Sequence, residues 1–336
     1  MAFLVALGIL VLSLMGVAVP PSSAQQNRSF QLTYEVELGA LPSDGKELKL
    51  WIPLAASDQH QEIHQRLIQA PVPYQVTKDP EYGNDILFLK LEHPLPRAFQ
   101  LSIQYEADVR EQEIRLSRSA SRPYGLGKEM GLYLKSTRYM VIDDDVRSLA
   151  RSITAGAATP VEKARRIYRY VIERMRYEKE TPGWGKGDTL RACQVGAGNC
   201  TDFHSLFISL ARASGIPAQF QIGLPVPEKL EGEIPGYHCW AEFYLPEVGW
   251  VPVDASEAWK DRKKFDYFFG TYDPNRLALA QGRDVQLVPR PVNGPLNIFF
   301  FPHAEVDGTV IAKENIKTRF HFRDLAMANG KDSSNG

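Results

Sequence analysis

The chain has 336 residues, 39 basic against 40 acidic side chains for a net charge of -1, and 44% hydrophobic residues. At roughly 150 residues per domain, this length suggests about two domains. The balanced charge argues against a nucleic acid or an anionic membrane surface as partner. The hydrophobic content is sufficient for a core and excludes a chain that is disordered throughout.

Residues 1–24 are predicted to be a signal peptide. Residues 2–19 are apolar apart from glycines and one serine, and residues 22–24 supply the small side chains that signal peptidase requires. The mature chain is therefore expected to begin near Gln25, which predicts a secreted or periplasmic protein. The alternative is an uncleaved membrane anchor, because about 18 apolar residues is near the lower limit for a spanning helix. Contact with a membrane is expected only in that case.

Residues 25–115 are predicted to form an N-terminal β-sandwich domain. The segments 30–38 and 99–109 alternate apolar with polar residues, a period of two that gives each strand one buried and one solvent-facing side. Shorter candidate strands lie between them at 48–53 and 86–91, and both are bounded by turn-forming residues.

Residues 140–260 are predicted to mix helices with strands. Thr159 can cap a helix, Pro160 suits a first helical turn, and Glu162 can complete a capping box. Gly215 occupies the position of a left-handed helix C-cap. The predicted helices cover 144–153, the segment from 160 to about 175, and 201–214, and the predicted strands cover 218–222, 237–245 and 250–254.

Residues 261–323 are predicted to be a β-rich C-terminal extension. Its β-like stretches lie near 285–288 and 296–301. This extension would line the active-site cleft, cap it or complete a sheet, and the sequence does not favour one of the three. Residues 324–336 are polar and are predicted to be a disordered tail.

Three cysteines, Cys193, Cys200 and Cys239, are too few for a disulfide scaffold, and their odd number leaves at least one thiol unpaired within a monomer. Cys200 lies at the start of the helix 201–214, where free N–H groups and the helix dipole favour a thiolate. It is therefore a candidate nucleophile whose own N–H would be one oxyanion donor. The competing interpretation is a buried structural cysteine, the usual state of a free thiol.

His238 is the candidate base for this nucleophile. Adjacent residues of a strand point to opposite faces, so His238 and Glu242 share one face, while Cys239 lies on the other, more apolar face and is predicted to belong to the core. A histidine beside a tryptophan is more often structural than catalytic. His204 is the alternative base, but it lies inside the nucleophile helix and is expected to lack a neighbouring acid.

Asp254 is the candidate third residue, which would fix the tautomer of His238 and stabilise its imidazolium. A simple four-residue turn pairs Leu245 with Trp250 and leaves Asp254 roughly 10 Å from His238 along the strand. A bulge or a strand twist must close that gap, or Glu242 takes the role instead. The structural alternative for Asp254 is a turn aspartate at a strand end.

Four blocks of this sequence resemble the transglutaminase-like superfamily. They are Gly-Asn-Cys-Thr-Asp at 198–202, Leu-Ala-Arg-Ala-Ser-Gly-Ile-Pro-Ala at 210–218, His-Cys-Trp-Ala-Glu-Phe-Tyr-Leu-Pro at 238–246 and Gly-Trp-Val-Pro-Val-Asp at 249–254. The resemblance covers roughly residues 140–260 and is specific because the blocks occur in the family's order. It implies an α+β fold with a papain-like transglutaminase core, in which the helix bearing the nucleophile packs on an antiparallel sheet. It also implies a triad of Cys200, His238 and Asp254, which favours Asp254 over Glu242.

The resemblance also implies a reaction. That reaction is thiol-dependent acyl transfer on peptide or protein amides through a thioester, ending in hydrolysis by a protease or amidase or in transamidation. We expect hydrolysis, with cell-wall peptides among the candidate substrates. The alternative is a non-catalytic partner-binding module on the same fold.

The resemblance leaves two details of the site open. The family's usual His-Ala-Trp is His-Cys-Trp at 238–240 here, a small change that is not expected to affect catalysis. Gln194 has the spacing of the helper glutamine in papain-like proteases, and Trp184 is the analogue of a residue in vertebrate transglutaminases. Both are candidates for the second oxyanion donor, and neither is favoured. Cys193 and Cys239 are candidates for a disulfide in an oxidising compartment.

No cofactor and no metal are expected. The vertebrate enzymes of the superfamily bind calcium, but this sequence has no Asp/Asn-rich loop of the kind that holds that ion. The three cysteines and His204 lack the paired spacing of a structural zinc site.

Overall fold

The computed structural model describes residues 26–39, 41–114, 116 and 127–325. The predicted signal peptide, and the predicted tail beyond Leu325, lie outside the described residues. Within these ranges, no helix has both the length and the apolar character needed to cross a membrane.

The N-terminal part of the chain is a succession of β-strands. The first of them follows the predicted alternation, since its five apolar residues from Phe30 to Leu38 are each at most 1% exposed. The strands are β1 (Asn27–Leu38), β2 (Glu47–Leu54), β3 (Gln61–Gln69), β4 (Tyr74–Lys78), β5 (Asp85–Glu92), β6 (Phe99–Arg110) and β7 (Gln112–Glu113). The four predicted strands are confirmed, and three strands that are short or mainly exposed, β3, β4 and β7, were not predicted.

The middle of the chain alternates helices with strands. Its helices are α1 (Asp144–Thr154), α2 (Pro160–Arg174), α3 (Thr189–Val195), α4 (Cys200–Ala213) and α5 (Ala255–Lys260). Its strands are β8 (Arg176–Tyr177), β9 (Ala197–Gly198), β10 (Ala218–Pro225), β11 (Glu231–Glu233), β12 (His238–Leu245), β13 (Gly249–Val253), β14 (Thr271–Tyr272) and β15 (Arg276–Gln281). Short 3₁₀ segments lie at Lys128–Tyr133, Arg262–Lys264 and Lys313–Asn315.

The start of α2 shows how local sequence sets an element. Thr159 Oγ1 accepts a hydrogen bond from the Glu162 N–H at 3.2 Å, and Pro160 is the first helical residue, as predicted. The Glu162 carboxylate accepts from the Ala158 N–H at 2.7 Å, one residue earlier than in a standard capping box. Two donors at this helix end are therefore satisfied by side chains.

The last strands return to the N-terminal sheets. They are β16 (His303–Val306), β17 (Thr309–Val310) and β18 (Ile316–Asp324). Within the described residues, one sheet has the order β11-β18-β1-β6-β3 and the other has the order β17-β16-β2-β5-β4. The predicted C-terminal β-rich segment thus supplies strands to both sheets, and Asp324 pairs with Arg28 at 3.0 Å. The stretches 285–288 and 296–301 are not strands and share a single bridge between Val285 and Leu296.

Helix α4 lies at the centre of the molecule. The sequence predicts an amphipathic helix with one apolar stripe, but every residue from Cys200 to Arg212 is buried. Its polar side chains are accommodated because each finds a partner. Ser209 bonds Thr189 at 2.7 Å, and the Arg212 guanidinium donates to the carbonyl of Ala218 at 2.7 Å. A third antiparallel sheet, β13-β12-β10-β15, packs against this helix, and the predicted α+β fold is confirmed.

Candidate active site

Cys200 is the first residue of α4 and is 2% exposed. The Asn199 side chain accepts the Thr201 N–H at 3.0 Å, and the Asp202 carboxylate accepts the Asn199 N–H at 3.0 Å. Asp202 also accepts N–H groups of the preceding loop, and a Cβ at Gly198 would lie 2.2 Å from that carboxylate. Glycine at 198 is thus required by close packing, and the helix start that carries the sulfur is held rigidly.

His238 opens β12, and its Nε2 lies 2.6 Å from Asp254 Oδ2. The expected hairpin pairing is wrong by one residue, because Leu245 pairs with Gly249 and Ala241 with Val253. Asp254 is therefore one step nearer to His238 than the simple turn allowed. It caps α5 through Oδ1, which accepts the Glu257 N–H at 3.0 Å, and this orients Oδ2 toward the imidazole. Because Nε2 is hydrogen-bonded to Asp254, Nδ1 is the ring nitrogen that can interact with Cys200.

Electrostatics favours an ion pair between the cysteine and the histidine. Hydrogen bonding from the Cys239 thiol, together with the hydrogen bond and charge of His238, outweighs burial and holds the pKa of Cys200 well below its usual value. Burial opposes a charged His238, but the charge and hydrogen bond of Asp254 and the nearby Cys200 raise its pKa to about 10. The pKa of Asp254 lies far below its usual range, because burial is outweighed by the charge of His238. Both shifts favour a thiolate at Cys200 and an imidazolium at His238.

Arg276 is a fourth charged residue at this site, and sequence reasoning missed it. Its Nη1 lies 3.2 Å from Asp254 Oδ2, and both side chains are almost fully buried, at 5% and 1% exposure. Its guanidinium lies 4.9 Å from the ring centre of Trp240, which in turn stacks on His238 with ring centres 6.1 Å apart. Arg276 begins β15, and a basic residue opening the apolar run Leu-Ala-Leu-Ala was the available signal.

The two alternative residues of the sequence analysis have other partners. Glu242 is buried among His60, Gln219 and Gln221, with His60 Nε2 3.3 Å away, so it does not serve His238. His204 does have an acid nearby, contrary to expectation, because its Nε2 lies 3.5 Å from Asp254 Oδ1.

His204 is nevertheless engaged with the backbone rather than with the sulfur. Its Nε2 accepts the Ala255 N–H at 3.0 Å, so Nδ1 carries the proton and donates to the Cys200 carbonyl at 2.8 Å. Burial lowers the pKa of His204, which keeps the ring neutral. His204 therefore connects the nucleophile helix to the residue that follows Asp254.

Cys239 is a buried core residue, as predicted, and it also contacts the start of α4. Its side chain is buried against α4, where the sulfur lies 3.3 Å from Thr201 Oγ1 and the thiol donates a hydrogen bond to the sulfur of Cys200. Burial and the contact with Cys200 raise the pKa of Cys239 well above its usual value. The face of β12 opposite His238 is the face that α4 covers, so it meets the nucleophile as well as the core. All three cysteines are free thiols in the structure.

A cleft of about 400 Å³ opens at Cys200. Trp184 lines it and is 38% exposed, whereas Gln194 is an exposed residue of α3 that is not part of the lining. Of the two candidates for the second oxyanion donor, Trp184 is thus the one that lines the same cleft as Cys200. The Cys200 N–H, at the first position of a helix, has no intrahelical acceptor and is available as the other donor.

The grouping of His238, Asp254 and Glu257 has its ligand atoms within 4.8 Å of one another. Two of these residues, His238 and Asp254, are already hydrogen-bonded to each other, and Glu257 Oε1 binds Lys260 at 2.6 Å. The absence of a metal requirement stays a prediction. We expect incubation with EDTA followed by desalting to leave the rate of Cys200 alkylation unchanged. A loss that added zinc or calcium restored would contradict it.

The chain is similar in sequence to a known family and to two proteins of other bacteria. Residues 147–255 match the family model of the transglutaminase-like superfamily. The chain is 28% identical over 321 residues to an uncharacterized protein of Haemophilus influenzae, a match that covers 83% of this chain and 86% of that protein. It is 29% identical over 152 residues to the uncharacterized protein YebA of Bacillus subtilis, covering 40% of this chain and 21% of that protein.

A solved structure has the same overall fold. The crystal structure of a candidate cysteine protease from Cytophaga hutchinsonii superposes with a TM-score of 0.62 at 15% identity, covering 90% of this chain and 92% of that one. At this identity the likeness bears on the fold alone. It extends beyond the matched family segment to the sheets that precede and follow it.

Proposed function

We propose that this chain, whose residues 147–255 match the family model of the transglutaminase-like superfamily, is a thiol-dependent enzyme that hydrolyses peptide or protein amides through a thioester on Cys200. The observation that carries the proposal is the buried set of Cys200, His238 and Asp254, in which Cys200 lines an open cleft and His238 and Asp254 are only 2.6 Å apart. No described feature favours the binding-module alternative.

The first half-reaction uses the thiolate and the imidazolium together. The Cys200 sulfur attacks the amide carbonyl carbon, and the developing oxyanion is stabilised by the Cys200 N–H, with the Trp184 indole as the second donor. The tetrahedral intermediate collapses as His238 passes its Nδ1 proton to the leaving amine. The products are the free amine and a thioester on Cys200.

The second half-reaction uses His238 as a base. A water molecule gives a proton to Nδ1 and attacks the thioester carbonyl, and the thiolate leaves as the carboxylic acid forms. Asp254 holds the imidazole so that Nδ1 faces the sulfur in both steps. Water is favoured over an amine as acceptor because the cleft walls include the exposed side chains of Trp184 and Phe301, at 38% and 40% exposure.

We propose that this reaction takes place outside the cytoplasm. The support is the sequence of residues 1–24, with its apolar run and the small residues before Gln25. An exported peptide or protein is accordingly the proposed substrate, and no nucleic acid or cofactor is involved.

Alkylation of Cys200 with iodoacetamide at about pH 5.5 tests the proposal. An ordinary thiol with a pKa of about 8.5 is only about 0.1% thiolate at that pH, so the Cys200 ion pair is expected to react up to about 10³-fold faster. Peptide mapping should find the label on Cys200, because burial raises the pKa of Cys193 and Cys239. The expected result for His238→Ala is the slow rate of an ordinary thiol.

Lys179→Ala is the control, because it changes an exposed charge at the cleft without altering the triad. If Cys200 labelled slowly, or at the same rate in His238→Ala, the triad would not be assembled and the binding-module alternative would replace the enzyme proposal.

A further inference from the structure

We propose that the substrate is an extended chain of L-amino acids that adds as a strand to the free edge of β18 and places an aromatic or other large apolar side chain against Phe301. The inference rests on the proposed function and identifies the class of its substrate as unfolded or flexible protein segments. It disfavours cell-wall peptides, whose mixture of D- and L-residues does not present a regular strand edge.

The first observation is the edge itself. One side of β18 pairs with β1 along its whole length, from Ile316 to Asp324. On the other side β11 pairs only with residues 321–323, and the last hydrogen bond there runs from the Ile234 N–H to the Phe320 carbonyl at 2.9 Å. Beyond that bond the chain leaves the sheet toward His238. The edge of β18 at residues 316–319 therefore has no neighbouring strand among the described residues.

The direction of the free backbone groups follows from strand geometry. Backbone groups alternate between the two edges of a strand, and the Phe320 carbonyl points to the β11 side. The N–H and carbonyl of Thr318, two residues away, point to the same side. Thr318 lines the cleft that contains Cys200, so an unused donor and acceptor face the space where the substrate must lie. A strand laid beside Thr318 would continue the row that β11 begins.

The second observation is the aromatic cluster beside this edge, in which the Phe300 ring lies 5.7 Å from that of Phe320 in β18. Tyr237, Phe300 and Phe301 are in mutual contact, with ring centres 5.0 to 6.1 Å apart, and all three line the cleft. Phe301 is 40% exposed although it lies in a cleft. A large exposed apolar side chain beside a nucleophile provides a surface that a substrate side chain would cover. Strand addition supplies general affinity for backbone, and such a surface supplies selectivity.

The probe is an internally quenched octapeptide of alanines with one central phenylalanine, together with eight versions that each carry one N-methyl group. Cleavage sites are read by mass spectrometry. Strand addition predicts that methylation at alternate residues lowers kcat/KM by about tenfold, because those N–H groups point to β18, while the intervening positions tolerate the methyl group. Replacing the central phenylalanine by alanine is expected to raise KM.

Two pairs of variants test the same contacts from the protein side. Thr318→Pro removes the N–H that faces the cleft and leaves the bonds to β1, so its kcat/KM should be about three- to tenfold below that of Thr318→Ala, which loses the same side chain but keeps that N–H. Phe301→Ala should raise KM for the phenylalanine peptide but not for the all-alanine peptide. Val310→Ala changes an exposed apolar residue outside the cleft and should alter neither. Thermal unfolding of each variant excludes loss of fold as the cause.

The inference is overturned by equal tolerance of methyl groups at all positions, by equal activity of Thr318→Pro and Thr318→Ala, or by failure to cleave the octapeptide. If Cys200 still shows His238-dependent alkylation in such a case, the thiol chemistry stands and only the substrate class is wrong. Absence of that alkylation would instead remove the proposed function itself.

Discussion

Replacement of Asp254 by alanine is expected to lower kcat by up to about 10⁴-fold, the effect seen when the orienting acid of a triad is disabled. Three contacts are lost together: the bond to His238, the cap of α5 and the pairing with Arg276. Because Arg276 is left as a buried, unpaired charge, the free energy of unfolding should also fall by about 3–5 kcal/mol. Steady-state kinetics on the octapeptide and urea unfolding measure the two effects separately.

Two further variants test the role of Asp254, one at Asp254 itself and one at the alternative acid, Glu242. Asp254→Asn keeps an oxygen that can accept from His238 Nε2 but removes the charge, so it should retain more activity than Asp254→Ala while alkylation at pH 5.5 slows. Glu242→Gln changes the acid that the strand pattern offered, in place of Asp254, as the residue that orients His238. It should cost stability, because Glu242 is buried with His60, but leave alkylation of Cys200 unchanged. Loss of alkylation in Glu242→Gln alone would assign the orienting role to Glu242.

The pKa shifts of His238 and Asp254 predict how the stability of the protein depends on pH. The folded-state pKa of His238 is about 10, above the value of roughly 6.5 expected in the unfolded chain. Its contribution to stability is therefore complete below about pH 6.5 and is lost as the pH rises through 10. Asp254 has a lowered pKa, so its contribution is present above about pH 3.9 and is lost in acid. The difference in melting temperature between the wild type and Asp254→Ala should thus be greatest between about pH 4 and 6.5.

The local features of this fold follow directly from its sequence. The cap at Thr159, the alternation in β1 and the left-handed Gly215 are each set by residues a few positions apart. The meeting of His238 and Asp254 was also accessible, since resemblance to a family records which distant residues meet. Residue spacing alone left Asp254 and Glu242 open, because one step of register in a hairpin decides which of them reaches His238.

The features that were missed depend on contacts between distant parts of the chain. Strand β18 completes the first sheet by pairing with β1, across nearly three hundred residues, and no local pattern encodes that partner. The burial of polar residues all round α4 was missed for the same reason. A helix surrounded by protein needs no polar face when its serines and arginine find partners elsewhere in the chain. The contact between Cys239 of β12 and Cys200 of α4 was missed for the same reason.

Replacement of Arg276 by methionine is expected to shift the acid limb of Cys200 alkylation to higher pH. Cys200, His238, Asp254 and Arg276 carry two negative and two positive charges when the ion pair is formed, and all four side chains are buried. Without the guanidinium the cluster has an unbalanced negative charge, which disfavours the thiolate and so raises the pKa of Cys200. The cost in stability should be about 3–5 kcal/mol, as for other broken buried pairs.

If Arg276 had a purely structural role, Arg276→Met would lower stability without moving the acid limb of Cys200 alkylation. The pH profile of alkylation therefore distinguishes a structural role from an electrostatic one. Arg276→Lys keeps the charge but loses the planar contact over Trp240, and should leave the limb close to its wild-type position. Combining Arg276→Met with Asp254→Asn removes both members of the pair. Its loss of stability should fall short of the sum of the single losses by about 0.5–3 kcal/mol, because neither charge is then left alone. Additive losses would mean that Arg276 acts on Asp254 only through packing, and that the thiolate is balanced by His238 alone.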